Sequence, residues 1–167
     1  KEIELSNRLE RKGVQTRRSP FALLKDGIRQ GFRWSTVLAS AQWKLRERLG
    51  LKDPRDRRVA LEKLRVQMDR DVFIAVSSRM DPKLLTITLY ATDSLSHRFW
   101  KFHEPAAFPD VSPADVLRFG DVISEAYVQA DEVLGELLEA VGDQTVVVLL
   151  SDHGFQALES GTSNKSY

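Results

Sequence analysis

The stretch Leu84-Leu85-Thr86-Ile87-Thr88-Leu89-Tyr90-Ala91-Thr92-Asp93-Ser94-Leu95-Ser96-His97 decides how this chain is read. A run of β-type apolar residues leads into an acid and a histidine four positions apart. Thr145-Val146-Val147-Val148-Leu149-Leu150-Ser151-Asp152-His153-Gly154 follows the same plan with an adjacent acid and histidine. Ligands of an open parallel sheet bind beyond the carboxyl ends of its strands. Both pairs are therefore expected at one rim, with the His97 and His153 rings facing a shared hollow. Carboxylate oxygen and neutral imidazole nitrogen together suit zinc or a similar divalent transition metal.

Between the two runs lies first a loop rich in aromatics and prolines, Asp93 to Val111. Ser112-Pro113 then starts the longest expected helix, with serine as N-cap and proline at the first helical position. Its apolar stripe is Val116, Phe119, Ile123, Ala126 or Tyr127, Ala130, Leu134, Leu137 and Val141, and Gly142-Asp143 ends it. Strand, helix and strand, with no polar alternation in either strand, predict a right-handed βαβ unit in a sheet covered on both faces.

Upstream, Lys52-Asp53-Pro54 is a turn signal in which Asp53 caps a helix beginning at Pro54. Leu61, Leu64, Met68, Val72 and Ala75 trace one face of that helix. It is expected to stop before Asp81-Pro82, because proline disfavours helical geometry in the residue ahead of it. The first fifty residues read as short amphipathic helices punctuated by glycine. Phe21, Leu24, Ile28 and Phe32 form one stripe, and Trp34, Leu38, Ala41, Leu45 and Leu49 another. The expected organisation is a basic helical segment over 1–54 (an insertion or cap), an α/β core over 55–156 carrying both acid–histidine pairs, and a polar tail over 157–167.

The 167 residues suffice for one domain with a real core, and 42% hydrophobic with 29% charged residues is ordinary globular content. There is no cysteine, which excludes disulfides and thiolate metal sites and assigns no compartment. The net charge of +1 hides a balance of +7 in residues 1–50 against −6 in the remainder. That basic half reads as a solvated segment against an acidic body, and with no recognisable module a nucleic-acid partner is not expected. The longest aliphatic stretch, Val146 to Leu150, is too short to span a bilayer. The chain starts at Lys1 and stops soon after His153, so it is expected to be a piece of a longer protein.

Asp93 to His97, Phe99-Trp100, a long helix, an apolar strand and Ser151-Asp152-His153-Gly154-Phe155, in that order, resemble the alkaline phosphatase superfamily. The likeness is to its type I phosphodiesterase/nucleotide pyrophosphatase branch and covers roughly residues 80 to 156. It implies a three-layer α/β/α fold with a mostly parallel sheet, here incomplete, beside a helical N-terminal segment. It also implies two divalent metal ions, zinc or manganese, with Asp93 and His97 on one and Asp152 and His153 on the other. The implied substrate is a phosphorylated small molecule, a phosphodiester or nucleotide, and the resemblance leans toward an extracytoplasmic protein.

The sequence departs from the family pattern in three partners. A further Asp and a Thr or Ser nucleophile come from earlier in family chains, and a further His from later. Here Thr16, Ser19, Ser35 and Thr36 lack the strand-to-helix context of a nucleophile, and no histidine follows His153. His103 has no acid at a ligand-like spacing and reads as a surface residue. Ser94 and Ser96 shape the segment between ligands. Phe99, Trp100 and Phe102 read as packing beneath the site, with stacking on a base or aryl group as the alternative. The expectation is an incomplete phosphohydrolase domain, inactive alone. The alternatives are a sulfatase or phosphotransferase of the same superfamily, or a non-catalytic scaffold that kept the fold.

Overall fold

The computed structural model describes residue 25, residues 27–50 and residues 53–157. Among the described residues, residue 25 and residues 27–30 are helical, and the elements with full bounds are α1 Trp34–Arg48, α2 Pro54–Met80, α3 Ala91–His103, the 3-10 turn Pro105–Ala107, α4 Pro113–Phe119 and α5 Val122–Val141. Helix α5 packs on both α2 and α3, α1 lies against α2, and α4 lies against α3.

Local chemistry sets most of the helix ends. Asp53 accepts from the Arg55 amide ahead of Pro54 and starts α2, and Ser112 accepts from the Asp115 amide ahead of Pro113 and starts α4. Helix α2 closes at Asp81, whose φ of 44° is left-handed, a conformation that aspartate tolerates better than most residues. Gly142 closes α5. Each of these four boundaries agrees with its sequence signal. The expected stop of a single long helix at Gly142 does not extend back to Ser112, however. The backbone breaks at Gly120-Asp121, where a Cβ on Gly120 would lie 2.8 Å from the Val116 carbonyl oxygen and 3.4 Å from that of Phe102. The longest helix among the described residues is instead α2, with 27 residues and a length of about 40 Å.

The core lies where α2, α3 and α5 meet. It contains Val66 from α2, Ala91, Leu95, Phe99 and Phe102 from α3, and Phe119, Val122, Ile123, Ala126, Val133 and Leu137 from the α4–α5 arm. Phe99 and Leu95 are each 1% exposed. Burial of side chains of this size stabilises by about 1.5–3 kcal/mol apiece.

The expected three-layer α/β/α fold with a parallel sheet is not what the chain forms: among the described residues there is no strand. A ladder needs partners, and two lone strands do not make an independently stable sheet. In 84–90 alternate residues turn inward: Leu85, Ile87 and Leu89 are half-buried while Leu84 and Tyr90 are exposed. The run is thus a one-sided connector whose Ile87 and Leu89 pack on the helical core. The segment 145–150 is exposed throughout, with Val146 at 90% and Leu150 at 85%. The expected aromatic loop after Asp93 is also corrected. Residues 91–103 are helical because Ala91, Leu95, Phe99 and Phe102 recur at helical spacing and are buried together.

One expected stripe falls elsewhere: on α1 the buried residues are Thr36 and Val37, whereas Trp34, Leu38, Leu45 and Leu49 face outward. On α2 Leu64 and Ala75 of the expected stripe are buried, and Leu61 and Met68 are half-buried. Only Val72 is exposed, because the inward face is shifted to include Glu62, Val66, Arg70 and Asp71. Phe21, Leu24 and residues 158–167 lie outside the described residues.

Buried charge fixes how α1 and α5 meet α2. The Asp71 carboxylate is fully buried; it accepts from the Arg33 backbone amide at 2.8 Å and from both Arg70 Nε and Nη2, at 2.9 and 2.8 Å. Arg70 reaches onward to Thr36 Oγ1 at 3.3 Å and Glu136 at 3.2 Å, and Arg33 also pairs with Glu136. Each charge is offset by a partner, the condition under which a buried ion pair is tolerable.

A second network joins the start of α2 to α4. Arg55 is shared between Asp53 and Asp115 and stands over the Phe119 ring at 4.5 Å, while Arg118 pairs with Asp53 and Asp56. Hydrogen bonds from Arg55, the largest contribution in each case, hold the Asp53 and Asp115 carboxyls below the usual aspartate range. A carboxyl whose folded pKa is depressed contributes stability above its ordinary pKa and loses it as pH falls through the folded value. The melting temperature is therefore expected to decline on acidification below about pH 4, and by less in an Arg55→Gln variant. An identical acid decline in the two proteins would contradict the assignment.

Gly31 provides a further check. Its φ is +105°, and an added Cβ would sit 2.4 Å from that of Ala75. Gly31→Ala is expected to cost about 1–3 kcal/mol in urea unfolding, with helix content retained. A cost near zero would show that the turn ahead of α1 does not close on α2 in this way.

Candidate functional site

The two acid–histidine pairs meet. Asp93 stands in the first turn of α3 and His97 one turn later, on the side of the helix opposite Leu95, Phe99 and Phe102. Placing an acid near a helix N-terminus is favourable in itself, since unpaired backbone amides make that end electropositive. The Asp93 Oδ1 atom is 3.3 Å from His97 Nε2 and 3.7 Å from His153 Nε2. A single carboxylate oxygen therefore lies beside two imidazoles from segments far apart in the chain.

Asp152 is the outermost member, with a side chain 90% exposed. Its Oδ2 is 3.7 Å from His153 Nε2, and its Oδ1 accepts from the His153 amide at 3.1 Å. The turn is braced further by Ser151 Oγ, which donates to the His153 carbonyl at 2.8 Å.

Phe155 docks this turn on α3. Its ring meets His97 edge-on with centroids 4.7 Å apart, stacks on Trp100 at 5.7 Å and lies 5.5 Å from His153. Aromatic pairs of this kind are worth about 0.5–1.5 kcal/mol beyond the area they bury. Trp100 is fixed in turn by Glu104, which accepts from its indole N–H at 2.9 Å.

Other residues singled out in the sequence are placed as follows. Phe99 and Phe102 are core residues, 1% and 3% exposed, so neither offers a face to a substrate. Trp100 is half-buried against Phe155. His103 is exposed, sets Nδ1 3.4 Å from the Gly120 carbonyl oxygen and lies 5.5 Å, ring to ring, from Trp100. Ser94 and Ser96 are buried on the flanks of α3. Thr36 is taken up by Arg70. Thr16 and Ser19 lie outside the described residues.

Two neighbours gave no sequence signal of their own. Tyr90, exposed at the foot of α3, has a phenol pushed up, first by hydrogen bonding to the Asp93 carboxylate and further by the charges of Asp93, Asp152 and Glu62. It remains a protonated donor at neutral pH. Glu62 is 1% exposed on the inward face of α2 and touches the helix turn that bears Asp93. In the sequence it looks like any helix-surface acid between arginines at helical spacing.

The donor set is chemically suited to a borderline divalent cation. Oxygen–nitrogen separations of 3.3 and 3.7 Å are close to the edge of a tetrahedral zinc polyhedron, about 3.3 Å for bonds of about 2.0 Å. Among the described residues, however, no group of three or more His, Asp or Glu side chains is arranged to hold a metal ion. The donors are gathered without forming a closed cage. Nor is any described helix long and apolar enough to cross a membrane.

A family model described as type I phosphodiesterase / nucleotide pyrophosphatase matches residues 15–166. Neither the curated proteins nor the solved structures gave a match.

Truncating Phe155 tests the docking of the two segments. Phe155→Ala is expected to remove the ring-current shift of the His97 imidazole protons in NMR spectra and leave helix content unchanged. Unmoved His97 resonances would show that Phe155 does not sit on that ring.

Proposed function

Because this chain belongs to the type I phosphodiesterase / nucleotide pyrophosphatase family, within the alkaline phosphatase superfamily, we propose that the Asp93–His97–Asp152–His153 cluster is its portion of a metal-dependent phosphoryl-transfer centre. The observation that carries this is the Asp93 carboxylate standing between two imidazoles. Asp93 and His97 would hold one divalent ion, zinc or manganese, and Asp152 and His153 a second. Such ions supply charge neutralisation at a phosphoryl group and activation of a hydroxyl nucleophile. The substrate class is a phosphodiester or nucleotide, and nucleic acid is not the partner.

The contributions of the chain's own groups follow from their placement. The Asp93 carboxylate oxygen lies 3.3 Å from His97 Nε2 and 3.7 Å from His153 Nε2, so that one oxygen and two ring nitrogens face a common point. Phe155 covers one side of the His97 ring and, stacked on Trp100, holds the Ser151–Phe155 segment against α3. Tyr90, protonated, offers a hydroxyl donor at the edge of the cluster.

Two closed sites need about seven or eight donors, and the described residues place four at the cluster. On this reading the 167-residue chain does not turn over a phosphodiester by itself. The open donor arrangement also supports a second reading, a non-catalytic domain that retains the cluster without loading it.

Zinc titration of isotope-labelled chain separates these readings. His97 and His153 ring signals are both expected to shift, and Asp93→Ala is expected to abolish the His97 shift. Unmoved rings in the parent chain would sink the metal assignment and favour the scaffold. Hydrolysis of bis(p-nitrophenyl) phosphate above the metal-only blank, lost in Asp152→Ala, would contradict inactivity.

A further inference from the structure

Glu62 is a carboxylate buried to 1% exposure in the middle of α2, although charged residues are seldom placed there without compensation. Three neighbouring side chains compensate it. Arg58 Nε stands 3.0 Å and Arg65 Nη1 3.1 Å from Glu62 Oε1, the first as an ion pair whose N–H is not aligned for a hydrogen bond. The remaining partner comes from another helix: Ser94 Oγ donates to Glu62 Oε1 at 2.9 Å. Ser94 in turn accepts from Arg58 Nη2 at 3.0 Å and is 4% exposed. A closed triangle of Glu62, Arg58 and Ser94 thus ties α2 to the first turn of α3.

Ser94 is the residue after Asp93, and its backbone amide bonds to the Tyr90 carbonyl at 3.0 Å. Rotation or fraying of this turn would move Asp93 away from both imidazoles. The apolar face of α3 reaches the first turn only through the small side chain of Ala91, and the N-cap there, Tyr90, makes no side-chain capping bond. We infer that Glu62, acting through Ser94, is the positioning residue that sets the Asp93–His97 pair, with Arg58 closing the triangle.

This rests on the reading of Asp93 and His97 as ligands only for its functional consequence; the positioning itself is a statement about geometry. Removing groups that orient metal ligands costs about 10–100-fold in affinity. The test uses the 167-residue chain with zinc ion as probe. It follows the His97 ring in NMR titrations of Ser94→Ala, Glu62→Ala and Glu62→Gln, with far-UV circular dichroism monitoring the helices. Ser94→Ala and Glu62→Ala are expected to raise the zinc concentration for half the His97 shift at least about tenfold with helix content unchanged. Glu62→Gln keeps an acceptor for the Ser94 hydroxyl and is expected to stay near the parent. Parent-like titration by Ser94→Ala would overturn the inference. If the parent chain itself shows no zinc-dependent shift, the functional reading fails, and the positioning is judged on zinc-free protein. Cross-relaxation between the Asp93 β protons and the His97 ring is then lost in Ser94→Ala if the inference holds; its survival overturns it. Should Glu62→Ala fail to fold, the Ser94→Ala and Glu62→Gln pair decides alone.

Discussion

Helix α3 serves the core and the candidate site at once, and the rest of the molecule depends on its being held in one rotation. Successive residues turn by about 100°. Leu95, Phe99 and Phe102 therefore share the face that α2 and α5 bury, while Asp93, His97 and Trp100 share the opposite face. Burial of the first set fixes the direction of the second. The hydrophobic effect has no preferred direction of its own, so the precise rotation is left to directional contacts, which the polar groups at the flanks of α3 supply.

Those contacts are concentrated on α2. At one end its Asp53, Asp56 and Arg55 grip α4; in its middle Glu62 and Arg58 grip Ser94; further along Asp71 and Arg70 grip α1 and α5. Each cluster joins α2 to a different neighbour. A long helix with a strongly apolar stripe would pack by area alone. Here the inward face of α2 mixes Val59, Val66 and Phe73 with Glu62, Arg70 and Asp71, and the ion pairs select how its neighbours sit.

What could be read from the sequence divides along the same lines. Helix ends at Asp53-Pro54, Asp81-Pro82, Ser112-Pro113 and Gly142 were legible because a cap or a proline acts on the residues beside it. The two acid–histidine pairs meet as expected, although the sheet rim from which the meeting was argued is not formed. The sheet was misread because an apolar β-prone run states a need for burial without saying which partners will meet it, and here Val146 to Leu150 meets none among the described residues. Helix α3 was hidden behind the strand-then-loop reading, although Leu95, Phe99 and Phe102 carry its period. The outward turn of Trp34, Leu38, Leu45 and Leu49 has the same origin as the sheet error, since a stripe names a face and not its occupant. Glu62 was invisible because its burial depends on Ser94, a residue of another helix.

Family membership gives the reaction class, and the geometry places one aspartate oxygen beside two imidazoles, with the Phe155 and Trp100 rings alongside. The most direct measurement is the set of cross-relaxation contacts made by the Phe155 ring protons in metal-free protein. The account predicts cross-peaks to the rings of His97, His153 and Trp100 together. A cross-peak to His153 alone, its near neighbour in sequence, would place the Ser151–Phe155 segment away from α3 and contradict the site.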